Sequence, residues 1–247
     1  MSDAVVFDAV TMGYGRQTVL DEFGLTVPAG EFFGLVGVNG AGKTSSIKAL
    51  LDLTDIQSGR IEIFGVSSRE TRSRERLAYL PERFMPPYYL RGSDFLNFSA
   101  RLRRTEFTPD QIVSTCSALD LDPDALDKSV RIYSKGMAQK LGLIACLLSA
   151  RDLYVLDEPM SGLDPKARLL VKRELQSLRS KGQTVFFSTH MLSDVEELCD
   201  RMGILHDGKL RFVGSPDECV AKFGGASLED AYLNCISAPV SLGSGSV

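Results

Sequence analysis

The sequence predicts an α/β protein: a mostly parallel central sheet, an antiparallel β subdomain near the N-terminal end, and a helical subdomain inserted between strands. Three observations carry this. Phe32–Val36, Leu153–Leu156 and Thr184–Phe187 are short, continuous apolar runs, the pattern of strands covered on both faces. A glycine-rich stretch joins the first of them to a helical pattern. Between Ser93 and Ala150, roughly sixty residues carry helical periodicity, which reads as a helical block set between strands.

In chain order, Val5-Val6-Phe7, Thr18-Val19-Leu20 and Leu25-Thr26-Val27 are short extended segments separated by turn residues that include Gly13, Gly15 and Gly24. They are expected to form a small antiparallel sheet. Tyr14 sits between two glycines, where an exposed ring either stacks on a planar ligand or simply fills a turn. Next come the strand Phe32–Val36 and the loop Gly37-Val38-Asn39-Gly40-Ala41-Gly42-Lys43-Thr44-Ser45, with a helix running to about Leu53. Strand, glycine loop and helix make a phosphate-binding loop. The glycines let successive N–H groups converge, and the helix adds free amides and its positive dipole end. Lys43 supplies charge for the outer phosphates and the Thr44 hydroxyl a ligand for Mg2+. A nucleoside triphosphate is the expected ligand.

Arg60–Gly65 alternates as a strand, Arg69–Arg76 reads as a solvated helix, and Leu77–Leu80 is a strand stopped by Pro81. Glu82 to Leu90 is rich in proline and aromatics. With no evident core to enter, Phe84 to Tyr89 reads as a partner surface. In the helical block, Ser93 is expected to cap a helix that turns Phe95, Leu96, Phe98 and Leu102 inward. Thr108-Pro109 opens a second helix with Ile112, Cys116 and Leu119 on one face. Asp122-Pro123 makes a turn, and Tyr133-Ser134-Lys135-Gly136-Met137 leads into a third helix.

Leu153–Leu156 ends in Asp157-Glu158-Pro159. Pro165–Ser180 is a helix with Leu169, Leu170, Leu175 and Leu178 inside, and Gly182 ends it. Thr184–Phe187 leads to Ser188-Thr189-His190, a helix follows from Met191 to Cys199, and Asp207-Gly208 is a hairpin turn. Ser241–Val247 is small and polar and is expected to be mobile. In a parallel sheet, ligands bind beyond the carboxyl ends of the strands, which gathers the loop at Gly37, the Asp157-Glu158 pair and His190. Asp157 would hold Mg2+, Glu158 would polarise an attacking water, and His190 would bond the γ-phosphate or that water. His206 is left as a structural hydrogen-bonder.

Composition narrows the function. A net charge of −4 lacks the basic surplus of a nucleic-acid binder. Five cysteines, odd in number and without C-x-x-C spacing, argue against a disulfide framework or a zinc site and fit a reducing cytosol. The N-terminal stretch lacks the features of a signal peptide, and no apolar run approaches the ~18 residues that a membrane span needs.

Taken together, these residues resemble the ATP-binding subunit of an ABC transporter over nearly the whole chain. Gly37–Ser45 resembles Walker A, Leu153–Glu158 Walker B with the catalytic glutamate, Ser161-Gly162-Leu163-Asp164 the D-loop, and His190 the switch histidine. Tyr14 matches the adenine-stacking aromatic. Tyr133–Met137 is similar to the family signature and keeps Ser134 and Gly136, while Lys135 and Met137 depart from its common form. Glu82 stands where the family usually has a glutamine that contacts Mg2+ and the attacking water.

The resemblance implies a P-loop NTPase with a RecA-like core. The ATPase domain would cover residues 1–235, with the core at about 1–85 and 151–215, the helical subdomain at about 86–150, and a flexible tail at 236–247. It implies ATP and Mg2+ as ligands and hydrolysis by Glu158, His190 and Glu82, with metal contacts from Thr44, Glu82 and Asp157. It also implies a head-to-tail dimer, with itself or a close homologue, in which Ser134, Lys135, Gly136 and Met137 of each subunit reach the opposite ATP. An integral membrane subunit would dock near Phe84–Tyr89 on the cytoplasmic face of the membrane. The signature variant, Leu80-Pro81-Glu82 and Ser227–Leu233 look like ATPases of export-type (ABC-2-like) membrane subunits. A soluble ABC-type ATPase acting on ribosomes or DNA is the alternative. Such proteins usually carry two cassettes or long coiled-coil insertions.

Overall fold

The computed structural model describes residues 2–238. Its centre is a six-stranded sheet formed by β3 (Phe32–Val36), β6 (Leu77–Leu80), β7 (Leu153–Asp157), β8 (Thr184–Thr189), β9 (Arg201–His206) and β10 (Lys209–Gly214), in the order β10-β9-β3-β8-β7-β6. All neighbours are parallel except the β9–β10 hairpin, which turns at Asp207-Gly208 with both residues at positive φ. The central strands alternate between two cores. Leu153, Val155 and Phe186 face one side, packed with Phe33 and Leu35, while Tyr154, Leu156, Val185 and Phe187 face the other.

Over the first face lies a four-stranded antiparallel sheet of β1 (Asp3–Tyr14), β2 (Gln17–Pro28), β4 (Ser58–Ile63) and β5 (Val66–Ser67), together with α1 (Lys43–Leu50). The second face carries α4 (Lys135–Leu148) and α5 (Pro165–Arg179), and the helical block of α2 (Gly92–Leu102) and α3 (Pro109–Ala118) is attached there. A third core, at the β9–β10 edge, joins Val36, Met202, Ile204 and Phe212 to α6 (Leu192–Leu198), α7 (Pro216–Phe223) and α8 (Leu228–Ser237).

Local expectations met tertiary corrections at several places. The three short N-terminal segments are two long strands, because bulges at Ala9 (φ 47°) and Glu22 (φ 48°) absorb the irregular register without ending the pairing. Arg69–Arg76 contains only a 3-10 turn, Thr71–Arg74, held by Ser73 bonding back to Glu70. Arg91, not Ser93, occupies the N-cap of α2, and its N–H donates to Asp94 at 3.2 Å. As α2 packs, Leu96, Ser99 and Ala100 face inward, and Phe98 and Leu102 are exposed. Leu169 also faces outward, whereas Lys172 on the same helix is buried.

Phe84 does enter a core. Its ring stands edge-on to Phe95 at 5.4 Å and covers Gly142 of α4, so the partner surface expected at 84–89 narrows to Met85, Tyr88 and Tyr89, which are exposed. Helix α8 continues to Ser237, beyond the expected domain end at 235. The tail expected to be mobile from Ser241 lies outside the described residues. Among the described residues, no helix is long and apolar enough to cross a membrane.

Candidate functional site

The site lies at the carboxyl ends of β3, β7 and β8. After Val36 the chain turns so closely past β9 that a Cβ on Gly37 would stand 2.4 Å from the Leu205 carbonyl. Gly42, the N-cap of α1, has φ 112° and faces the Val19 carbonyl of β2. Neither position tolerates a side chain, and between them the Ala41 N–H closes a turn onto the Val38 carbonyl at 3.2 Å. No side chain caps α1, so its first amides keep their hydrogen-bonding capacity for an anion. Lys43 folds over the loop: its Nζ donates to the Gly37 carbonyl at 2.7 Å and the Val38 carbonyl at 3.3 Å, and lies 3.5 Å from Glu158 Oε1.

Ser188 holds the carboxylate pair. Parallel pairing sets Asp157 beside Ser188. The Ser188 hydroxyl donates to Asp157 Oδ1 and accepts the Glu158 N–H at 3.0 Å. Glu158 has φ 48°, a left-handed conformation that a glutamate adopts only at a cost, and it turns the side chain out of the strand line. Its Oε2 meets His190 Nδ1 at 2.9 Å. Within this pair, Asp157 Oδ2 has no hydrogen-bond partner, and Glu158 Oε1 has only the Lys43 ammonium, at 3.5 Å. Beside a phosphate loop, a carboxylate left so fits a ligand outside the chain. Hard oxygen donors suit Mg2+, which keeps most of its shell for water and phosphate. Asp157 Oδ2 and the Thr44 hydroxyl therefore fit the metal, and Glu158 Oε1 fits a water.

Lys43, Thr44, Glu158 and His190 border one cleft of about 500 Å³, and the buried Asp157 and Ser188 lie behind its wall. The loop and α1 contribute Asn39, Gly40, Gly42, Thr44 and Ser45 to its wall, around Lys43. Glu158, Ser161 and His190 form another part, and Glu82 with Arg83 a third. Glu82 is exposed on that wall. Tyr14 is not on the wall. It sits at the β1–β2 hairpin end, 52% exposed, and Val19 is the hairpin residue that reaches the cleft.

The signature residues are apart from this cleft as well. Ser134 caps α4, its Oγ accepting the Met137 N–H at 3.2 Å. Lys135 lies along Gly162, and Gly136 faces Gly162 and Leu163, so the start of α4 abuts the segment 161–164. Asp164 caps α5, accepting the Ala167 N–H at 2.9 Å. Sequence reading gave Ser188 no role, nor Gln139, whose amide donates to the buried Pro159 carbonyl just after Glu158. The strand register that opposes Asp157 to Ser188 was the missing signal.

A family model described as ABC transporter matches residues 20–161. The chain belongs to the ABC transporter family. The family's nucleotide-binding domains are ATPases. An uncharacterized ABC transporter ATP-binding protein of Nostoc sp. is 40% identical over 78% of the chain, and one of Synechocystis sp. is 38% identical over 79%. The matches span only 59% and 56% of those two relatives, less than two thirds of their length. The Nod factor export ATP-binding protein I of Burkholderia lata is 33% identical over 92% of the chain and 75% of its own length. A solved ATP-binding subunit of an ABC transporter superposes with a TM-score of 0.86 at 30% identity, covering 94% of this chain and 99% of that one. A bacterial Atm1-family exporter shares the fold at 21% identity and a TM-score of 0.79, over 97% of this chain and 43% of that one.

Proposed function

We propose that this ABC protein is the ATP-hydrolysing motor of an exporter: it pairs with a second ATPase subunit around two Mg-ATP and drives a separate integral membrane subunit from the cytoplasmic face. One observation carries the catalytic part. Lys43, Glu158 and His190 form a continuous line of charged and polar contacts at the mouth of the phosphate loop, with Lys43 on Glu158 Oε1 and His190 on Oε2. Lys43 and the loop amides bind and orient the outer phosphates. Glu158, steadied by His190 on Oε2, takes a proton from water at Oε1. Asp157 and Thr44 would hold Mg2+, which when bound offsets charge on the phosphate oxygens. Glu82, on the cleft wall two residues before Phe84, links the site to the helical block, since Phe84 packs under α4.

Export is supported by the relatives named for Nod factor export and by the export-like C-terminal motif. Glu158→Gln is the test. It should bind ATP and lose turnover by ~10²–10⁴-fold, the usual worth of general-base help, and collect as an ATP-bound dimer. Near-parental hydrolysis by that variant would remove Glu158 from this role.

A further inference from the structure

The mechanism leaves one buried charge cluster unused. Asp194 on α6 is 1% exposed and carries a carboxylate with three kinds of donor. Arg168 Nη2 on α5 approaches both its oxygens at 2.9 Å, Lys172 Nζ reaches Oδ1 at 3.0 Å, and the Thr189 hydroxyl reaches Oδ2 at 3.4 Å. Lys172 also pairs with Glu197 at 2.8 Å, so two cations meet two carboxylates and the cluster is neutral. A lone buried carboxylate would be strongly disfavoured, so the three partners are matched to it.

The cluster also touches the site. Thr189 Oγ1 accepts the Met191 N–H at 3.0 Å, which ties together the residues immediately before and after His190. Arg168 lies one turn into α5, the helix that Asp164 caps next to Ser161 on the cleft wall. Between cluster and site is a pit of about 10 Å³ lined by Glu158, Ser161, Arg168, Thr189, His190 and Asp194. It has room for about one water among several polar groups.

We propose that Asp194 is a positioning residue for His190. Through Thr189 it locks the backbone on both sides of the imidazole. Through Arg168 it ties that backbone to the segment 161–164, so that the His190–Glu158 contact and the D-loop move as one body. A buried ion pair that merely fastened α5 to α6 would contribute to stability without setting the imidazole, and the two roles separate experimentally.

The full chain is compared with Asp194→Asn and with Thr189→Val, which preserves volume and removes only the hydroxyl. Thr189→Ser is the rescue. Glu31→Gln, which breaks the separate Glu31–Arg201 pair, controls for lost stability. The chain has two histidines, so the ring proton spectrum resolves His190 against His206 as an internal reference. Expected for Asp194→Asn and Thr189→Val is a shifted or broadened His190 resonance with His206 unmoved, and a kcat lower by ~10–100-fold, the scale for a misplacement of about 1 Å, with KM within about threefold. Thr189→Ser should restore both. In a His190→Ala background, Asp194→Asn should cause no further loss of kcat.

An unmoved His190 resonance in Thr189→Val, or a kcat loss that is undiminished without His190, would overturn the proposal. The turnover arm rests on the ATPase reading. A parent chain without hydrolysis would overturn that reading, and the His190 spectra would still decide the positioning role.

Discussion

Gly142 offers a test in which two physical effects oppose each other. It lies mid-way along α4, where alanine improves helix propensity by about 0.8–1.0 kcal/mol. A Cβ there would stand 2.6 Å from Leu80 Cδ1 and 2.9 and 3.0 Å from two ring atoms of Phe84. Neither neighbour is free to yield. Leu80 is fully buried at the end of β6, and the Phe84 ring is held against Phe95. Overpacking of this kind costs roughly 1–3 kcal/mol, so Gly142→Ala should destabilise the protein by about 1 kcal/mol net. For a domain of this length that lowers Tm by roughly 2–4 °C.

Urea denaturation followed by circular dichroism measures the difference directly. Phe84→Ala makes room for the added methyl, so the pair Gly142→Ala with Phe84→Ala should be less destabilised than the two single changes sum to. A Gly142→Ala protein more stable than its parent by the full propensity gain would refute the packing, and with it the view that Phe84 anchors the Glu82 loop to α4.

Three further outcomes are expected. Ser134→Arg adds bulk and charge at the exposed start of α4. ATP-driven dimerisation measured by sedimentation should fail while nucleotide affinity of the monomer stays parental, and an unimpaired dimer would separate the signature helix from the second nucleotide. Replacing Tyr88 and Tyr89, 69% and 73% exposed, by Asp should release the protein from membranes that hold its partner without lowering basal ATPase activity. Retained association would move the docking surface elsewhere.

The third outcome concerns the thiols. Burial raises all five, with Cys116, Cys146 and Cys219 moving from 9.0 to about 11. At pH 8 a disulfide reagent should therefore react slowly with the folded chain and rapidly with five thiols once it unfolds. Between pH 9 and about 11 the folded chain keeps protons that the unfolded chain gives up. The corresponding stability is complete below that window and is lost as pH rises through it. Rapid reaction of the native protein, or alkaline stability flat across this range, would contradict the burial.

What was legible in the chain was what short spacing controls. Val36 to Thr44 reads as strand, phosphate loop and helix start because its glycine spacing and its turn from Val38 to Ala41 are local, although Leu205 and Val19 also press on Gly37 and Gly42. The Thr108 cap with Pro109 and the Asp207-Gly208 turn are equally local, and both stand as expected. The Asp157-Glu158 pair was visible as chemistry at a strand end. What holds the pair was not. Ser188 is 31 residues from Asp157 and meets it only because β7 and β8 pair in one register.

The same holds for the contact of Lys43 with Glu158 and for the charge cluster on Asp194, whose members look like ordinary surface charges on two separate helices. Phe84 entered a core, while Phe98, Leu102 and Leu169 faced outward, because the face that each helix turns to its neighbours, or a glycine on a neighbouring helix, decides which apolar groups find a partner. Hydrophobic transfer is non-directional: it makes burial favourable for each of these side chains, and only the packed arrangement of the elements determines which of them have a surface to bury against.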